Sequence, residues 1–600
     1  MNMGIDCDGL KKARWFAAYP EEIKRSLDAG YVLPEIPAHW GLKSSAKYYP
    51  ATTALVYEPE NFIVNYAEFQ ELCERFASGL QNKMGVIKGD MVAVYARNCP
   101  EVAVAIMAIS MIGAVYVGCN ALLIKDEVAY QLNDTEAKTV IVSDELLPAI
   151  RDLVDEKKTV IKSVIVFFQD QELKLSLLKK EPPVYQSPFY GFCDILSDDS
   201  LIEPTIDPKK DLFAILYTSG TTSYPKGVMI SHYNVVSACI IYGSTYTGQF
   251  PVQDADGLLK FTNHEKDLSM NWDFPLRHGI DWILSVPPWT HMMGFLGRLM
   301  YPLMSALPLI HLPVFNMDSM LEMIQRYKIS FSGGAPMMLS TILSRPDIET
   351  QDISCIRTWA VGGSTVPEAV TEKFEKRISG VISEAWALTE GTMTSTKHFA
   401  NRSGLKKSGS VGVPVPFTWI KVVDPVDGVT EMPVGEEGEL IQKGPTVTQG
   451  YFGKPKDTAN AYRDGWLYTG DIGKMDEDGF FYITGRKKEL IKYKGYNIAP
   501  SMLENVLFDH SDVKHCVVLG KKDPVVGELP IAFVQLKSDA TATADEIMNF
   551  VNSRVAPYKK IREVIFLEEL PMLASGKANR LKLYDFLSNA TGVNDRRMDL

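Results

Sequence analysis

Apolar and polar positions fall into two alternating rhythms along this chain. From about residue 52 to 200, stretches with helical spacing such as Tyr66–Lys83 take turns with short apolar runs such as Met91–Tyr95 and Thr139–Val142. Helix and strand in alternation predict parallel sheets covered by helices. The rhythm resumes from 211 to about 400, with apolar strands expected at Leu212–Leu216, Trp282–Val286 and Trp359–Val361. Between about 410 and 484 short strands and Gly-rich turns predominate, as in GSVGVPVP and VGEEGELIQKGP, which predicts a small β-rich subdomain. After Gly485 a basic stretch, RKKELIKYKGYN, leads into a final alternation of strand and helix. That last lobe, of about 110 residues, is within the usual range for a domain. The expected class is α/β, with an N-terminal domain over 1–487 and a small mobile α+β C-terminal domain over 488–600. Residues 1 to about 50, polar and aromatic by turns, are expected to wrap the surface of the large domain.

Two apolar runs could be mistaken for membrane spans. Val102–Gly118 is uncharged but falls short of the roughly 20 residues a span needs. Gly113 interrupts it and Tyr116-Val117 favours a strand, so a buried helix running into a buried strand is expected. Met293–Phe315 is broken by Arg298 and three prolines. Composition agrees with a soluble globular chain: 46% hydrophobic residues and a mean hydropathy of -0.04. The formal charge of -12 offers no long-range attraction for nucleic acid or acidic lipid. A polyanionic substrate would need basic residues clustered locally. The eight cysteines lack CxxC spacing and read as reduced core thiols, and the N-terminus has no apolar leader, so a cytoplasmic location is expected.

The most informative segment is Thr218-Ser-Gly-Thr-Thr-Ser-Tyr-Pro-Lys-Gly227, fed by the strand LFAILY and left by Val228–Ile230. Gly220 and Gly227 let backbone N–H groups approach a polyanion. Ser219, Thr221, Thr222 and Ser223 supply hydroxyls and Lys226 supplies charge. Together they predict a cradle for the β- and γ-phosphates of ATP. The pattern differs from the common P-loop, in which the lysine follows the second glycine and opens a helix.

This loop resembles the signature of the adenylate-forming superfamily, which includes acyl-CoA synthetases, adenylation domains of peptide synthetases and beetle luciferases. The resemblance runs in order from about 50 to 585 and rests on several motifs. Ala385-Trp-Ala-Leu-Thr-Glu390 resembles the family's Tyr-Gly-x-Thr-Glu, which implies that Trp386 stacks on adenine, Thr389 contacts phosphate, and Glu390 with Thr221 holds Mg2+. Trp stands where Tyr is usual, and Ala387 where Gly is usual, so a methyl is expected to narrow the acyl pocket. Val361-Gly-Gly-Ser-Thr-Val-Pro367 resembles the Gly-Gly-Ala-Pro turn, which implies that Gly362, Gly363 and Ser364 border adenine and substrate. Tyr468-Thr-Gly-Asp471 and Gly485-Arg486 resemble the ribose-binding pair. Pro571–Arg580 resembles the C-terminal motif whose lysine, here Lys577, sits between carboxylate and α-phosphate as adenylate forms. Pro288-Trp-Thr-His291 resembles the segment lining the acid pocket, with His291 as the gate toward thioester formation.

The resemblance further implies that the C-terminal lobe rotates about Lys488 after adenylation, bringing Lys492, Lys494 and Gly495 into the site for coenzyme A. An amino-acid-activating domain would need a carboxylate for the substrate ammonium a few residues before His291, and Val286-Pro-Pro-Trp-Thr has none. A luciferase-like oxygenase and an inactive nucleotide-binding protein are the other readings; joint presence of Lys226, Glu390, Asp471, Arg486 and Lys577 opposes the second. Expected substrates are ATP, coenzyme A and a fatty, branched, alicyclic or aromatic acid, handled by a monomer or homodimer. Trp289, Met292, Met293, Phe295, Trp386 and Ala387 predict an apolar acid pocket with no buried cation. The segment between Gly248 and Asp281 is longer than usual for the family and is expected to be a surface excursion or a cover for the pocket entrance.

Overall fold

Two parallel sheets with a shared helical layer organise the N-terminal part of the molecule. The computed structural model describes residues 7–58, 62–168, 186–218, 225–264, 268–269, 271–312, 315–334, 336–362, 366, 368–494, 496–538, 540–572 and 578–589. In the seven-stranded sheet, Met91–Ala96 pairs in parallel with Val115–Asn120 on one side and Thr139–Ser143 on the other. Leu212–Thr218 lies next to Val115–Asn120 and turns back through the antiparallel edge strand Lys226–Ser231. The nine-stranded sheet runs parallel through Thr53–Tyr57, Leu309–His311, Ile283–Ser285, Phe331–Gly334, Thr358–Gly362 and Val381–Trp386. Thr396–Lys397 then continues it antiparallel to Val381–Trp386.

Strands predicted from apolar runs are present at each named place. The expected helix begins at Tyr66, capped by Asn65 and Glu68 acting reciprocally, and runs to Asn82. Pro100–Met111 is a helix buried along its whole length and leads into the buried strand Val115–Asn120, so Val102–Gly118 is core. Among the described residues no helix is long and apolar enough to cross a membrane. Met293–Phe315 folds into short buried helical turns, Met292–Phe295 through Tyr301–Met304, and the strand Leu309–His311.

The packing adds detail to two expectations. The first fifty residues do more than wrap: Leu10, Trp15 and Tyr19 are buried, Trp15 lies edge-on to Phe481, and the Tyr19 hydroxyl donates to the Pro414 carbonyl at 2.7 Å. The alternation of polar and aromatic residues there reflects one buried side of a strap. The described part of the segment from Gly248 to Asp281 packs back on the domain through several side chains. Phe250, Leu259, Trp272, Phe274 and Leu276 are buried, and the Leu276 N–H bonds the Tyr246 carbonyl. Gly248, left-handed at φ +67°, lets Phe274 pack where a Cβ would collide at 2.5 Å. The segment thus plugs the C-terminal end of the helix His232–Thr247.

The β-rich region is an antiparallel sheet built from Trp419–Val423, Gly438–Lys443, Trp466–Met475 and Phe481–Arg486. Beyond Arg486 a second core forms around Ile491, Ile498, Leu503 and Val518, on a sheet that contains the long hairpin Val513–Asp523 with Gly527–Leu536.

Candidate active site

The polar motifs converge where the strand Val381–Trp386 ends. Trp386 is buried, and its indole N–H donates to Asp471 Oδ2 at 2.9 Å. Asp471 pairs in register with Arg486 across the two strands of the β-rich sheet, and Arg486 Nε reaches its other oxygen at 2.8 Å. Trp386, Asp471 and Arg486 therefore form one hydrogen-bonded group. The larger indole explains the link, because its N–H extends to a carboxylate 85 positions away.

Glu390 lies in the turn Thr389–Gly391, where its Oε1 accepts from the Tyr451 hydroxyl at 2.8 Å. Burial, then the charge of Glu390, pushes the Tyr451 phenol far above its ordinary range. Lys226 stands over the Tyr451 ring and pairs with Asp457. Thr218 and Lys226 face each other at the neck of the hairpin. Ser219, Gly220, Thr221 and Thr222 lie outside the described residues, as do Gly363, Ser364, Gly495 and Lys577.

His291 is exposed at the head of a short helix, and its Nδ1 accepts from the Met293 N–H at 3.3 Å. When the ring is neutral, that acceptor role leaves the proton on Nε2. Gly294 permits the turn: a Cβ there would lie 2.0 Å from the Pro288 carbonyl oxygen. The Met293 methyl lies 3.6 Å from where a side chain would begin at Gly362. Gly362 is paired with Ala385, so Met293 covers this part of the sheet.

Not every residue expected in the acid pocket borders that face. Trp289 is fully buried against His311, with its indole N–H on Ser285. Phe295 is packed between Tyr116 and Phe213 in the core joining the two sheets. Met292 is buried as well, and Ala387 is exposed just beyond the strand.

Two buried cations, which the sequence reading did not anticipate, lie in the core near this face. Arg298 and Lys397 are 1% and 3% exposed and approach the same aromatic group. Arg298 donates to the Tyr242 hydroxyl at 3.3 Å and lies over the Phe331 ring, while Lys397 lies over Tyr246 and Tyr242. Arg298 interrupts an apolar run, and that interruption is the one available sequence signal. Lys397 sits in no motif, and only strand register brings it opposite Ala385. Burial, then the nearby Arg298, holds the Lys397 ammonium well below the ordinary lysine range. Thr392 and Met393 take left-handed backbone angles of +48° and +61°, uncommon for a β-branched residue. A hydrogen bond from the Thr392 hydroxyl to Thr446 holds that turn, and the Met393 methyl sits 2.9 Å from a Cβ position at Gly297.

In the basic stretch, Lys487 pairs with Glu439 at 2.6 Å. Lys488, Lys492 and Lys494 are exposed. The Lys492 N–H bonds Glu528, which ties this strand to the C-terminal lobe.

The AMP-binding enzyme family model matches residues 42–452, and the AMP-binding enzyme C-terminal domain matches 502–577. The chain is 32% identical to the long-chain-fatty-acid–CoA ligase of Bacillus subtilis (strain 168) over 95% of this chain and 97% of that protein. It is 30% identical to 4-coumarate–CoA ligase 4 of Arabidopsis thaliana over 89% and 88%. The crystal structure of ATP-bound MatB from Rhodopseudomonas palustris superposes with a TM-score of 0.77 at 25% identity, covering 92% of this chain and 99% of that one. With fold, motif order and relatives in agreement over nearly its whole length, the chain belongs to the AMP-binding enzyme family, among the AMP-forming acyl-CoA ligases that convert a carboxylic acid, ATP and coenzyme A into an acyl-CoA.

Proposed function

We propose that the cleft at the end of Val381–Trp386 holds ATP and the acid, and that the lobe beyond Arg486 serves the two half-reactions in turn. The observation that carries this reading is the joined group Trp386–Asp471–Arg486, an aromatic, a carboxylate and a guanidinium meeting at one strand end. In this reading Trp386 stacks on adenine and Asp471 with Arg486 takes the ribose hydroxyls. Ala385, Gly362, Gly363 and Ser364 border the adenylate. Thr218 through Thr222, Lys226 and Thr389 receive the phosphates.

The acid's carboxylate oxygen attacks the α-phosphorus and pyrophosphate leaves. Lys577 offsets the negative charge that gathers between the two anions. The CoA sulfur then attacks the acyl carbonyl, and the carbonyl–phosphate oxygen bond breaks to release AMP. His291, Lys492, Lys494 and Gly495 serve that second step, reached by rotation about Lys488. Glu390 fits Mg2+, a cation that takes one or two carboxylates together with substrate phosphates. Its carboxylate is already oriented by Tyr451, and Thr221 is the second proposed ligand. When bound, the ion supplies neutralisation of triphosphate charge. Met293 and Met393 contact the acid's apolar body.

Measuring the two half-reactions separately tests this assignment. Lys577→Ala is expected to abolish acid-dependent pyrophosphate exchange while thioester formation from supplied acyl-AMP persists. Equal loss of both would remove Lys577 from the adenylation step.

A further inference from the structure

The face of the sheet that Met293 covers also carries two buried cations. Parallel and antiparallel register put Gly362, Ala385 and Lys397 in one row across three strands. Paired positions share a face of the sheet, and so do residues two apart along a strand. Phe331, Gly333 and Ala360 therefore extend the same face. Arg298 covers it: a Cβ at Gly333 would stand 2.5 Å from the guanidinium. Ala360 lies two residues before Gly362, so Arg298 stands roughly 7 Å deeper along the strands than the Met293 contact.

Arg298 Nε, Lys397 Nζ and the Tyr301 hydroxyl are buried without a hydrogen-bond partner among the described residues. No carboxylate of the described residues pairs with either cation. Aromatic faces at Phe331, Tyr246 and Tyr242 partly compensate the charges, but rings accept no N–H hydrogen bond as strong as an oxygen's. A guanidinium stays charged at any pH the protein survives. The chemistry missing from the group is an anion with two or more acceptor oxygens.

We propose that the acid activated by this enzyme carries a second carboxylate at its far end, held by Arg298 and Lys397 while the first carboxylate meets ATP. The body between the two carboxylates is compact, one ring or a short chain, because the plug after Gly248 closes the end of the helix bearing Tyr242 and Tyr246. The inference rests on the acyl-CoA ligase reading of the same cleft.

Its test compares matched acids that differ only in the far carboxylate: the straight-chain pairs from pentanoate/glutarate to nonanoate/azelate, and cinnamate/4-carboxycinnamate. The full-length enzyme is assayed for CoA-dependent AMP release and, separately, for the rise in melting temperature each acid produces. At least one diacid is expected to exceed its monoacid partner about a hundredfold in kcat/KM, the kind of discrimination a site built for a polar group achieves. Lys397→Met should erase that preference and Lys397→Arg should retain much of it, with an unchanged ATP-induced melting shift showing that each variant folds. If monoacids equal or exceed their diacids throughout, or if Lys397→Met leaves the ratio unaltered, the proposal fails while the ligase reading stands. If no acid releases AMP, the ligase reading fails, and the melting shifts alone decide whether the pocket takes diacids: a larger shift with a diacid supports it, and equal shifts overturn it.

Discussion

The two ends of the cleft manage charge in opposite ways. At the proposed nucleotide end each of the charged groups bonded there has an internal partner: Asp471 has Trp386 and Arg486, Lys226 has Asp457, and Glu390 has Tyr451. At the proposed acid end Arg298 and Lys397 are buried and have aromatic faces in place of an anion. The nucleotide end is thus held in shape by its own bonds, and a substrate must replace them. The acid end is unbalanced, and a ligand of opposite charge would complete it.

Breaking the nucleotide end at its centre should have the largest effect. Asp471→Asn keeps the shape but removes the charge shared by Trp386 and Arg486. Asp471 is buried but Arg486 is half exposed, so the loss is that of hydrogen bonds to a charged group, about 1.5–3 kcal/mol, or roughly tenfold to a hundredfold in kcat/KM for ATP. A change under about threefold in pyrophosphate exchange would show that this carboxylate is incidental to the nucleotide.

At the other end, the same kind of change should have the opposite sign on stability. Lys397→Met removes a desolvated cation, and apolar replacement of buried charge stabilises by about 1–4 kcal/mol in favourable cases. The pH dependence follows from linkage. Because the folded state holds Lys397 below its ordinary pKa, the unfolded chain binds more protons there, and this group's contribution to stability rises with pH. The cost is absent above the unfolded lysine value of about 10.5, and grows as pH falls toward the depressed folded value. Denaturation of wild type and Lys397→Met should therefore converge as pH is raised from 7 toward 10. A constant difference would mean the ammonium does not titrate anomalously.

A smaller perturbation separates ring from hydrogen bond. Trp386→Phe retains an aromatic face but loses the donor to Asp471. A hydrogen bond to a charged group contributes about 1.5 kcal/mol or more, and because ribose must displace this one, KM for ATP should fall by up to about tenfold. An unaltered KM would leave stacking as the whole contribution of residue 386. Least affected should be Asp457→Asn, which frees Lys226 from a half-exposed partner. Pairs of this kind contribute about 0–1 kcal/mol, and the expected result is a fall in KM for ATP of less than about fivefold. A rise instead would mean that Asp457 positions Lys226 for phosphate rather than competing with it.

This contrast also separates what can be read from the chain. Strands such as Thr139–Ser143, and the helix beginning at Tyr66, follow from period within a few residues. The nucleotide motifs are short and local, so Trp386, Glu390, Asp471 and Arg486 can be named without coordinates, though the bond between the first and third cannot. The acid end is illegible in the sequence because it depends on register. Lys397 acquires its surroundings from Ala385 across a strand pair, and Arg298 from Gly333 on a strand further along the chain. Nearness to His291 in sequence points Phe295 toward the pocket. The helical turn instead directs it between Tyr116 and Phe213.

The hydrogen bonds that Asp471 makes to its own neighbours also bear on how a catalytic cycle ends. If this carboxylate holds the ribose as proposed, departing AMP does not strand a buried anion that water must reach. The indole and the guanidinium reclaim it, so the protein acts as a stand-in for its own product. Release then becomes an exchange of near-equivalent partners, and the affinity for AMP is only the difference between two sets of bonds. Such a site empties readily, keeps its shape while empty, and admits the next ATP without first being rebuilt.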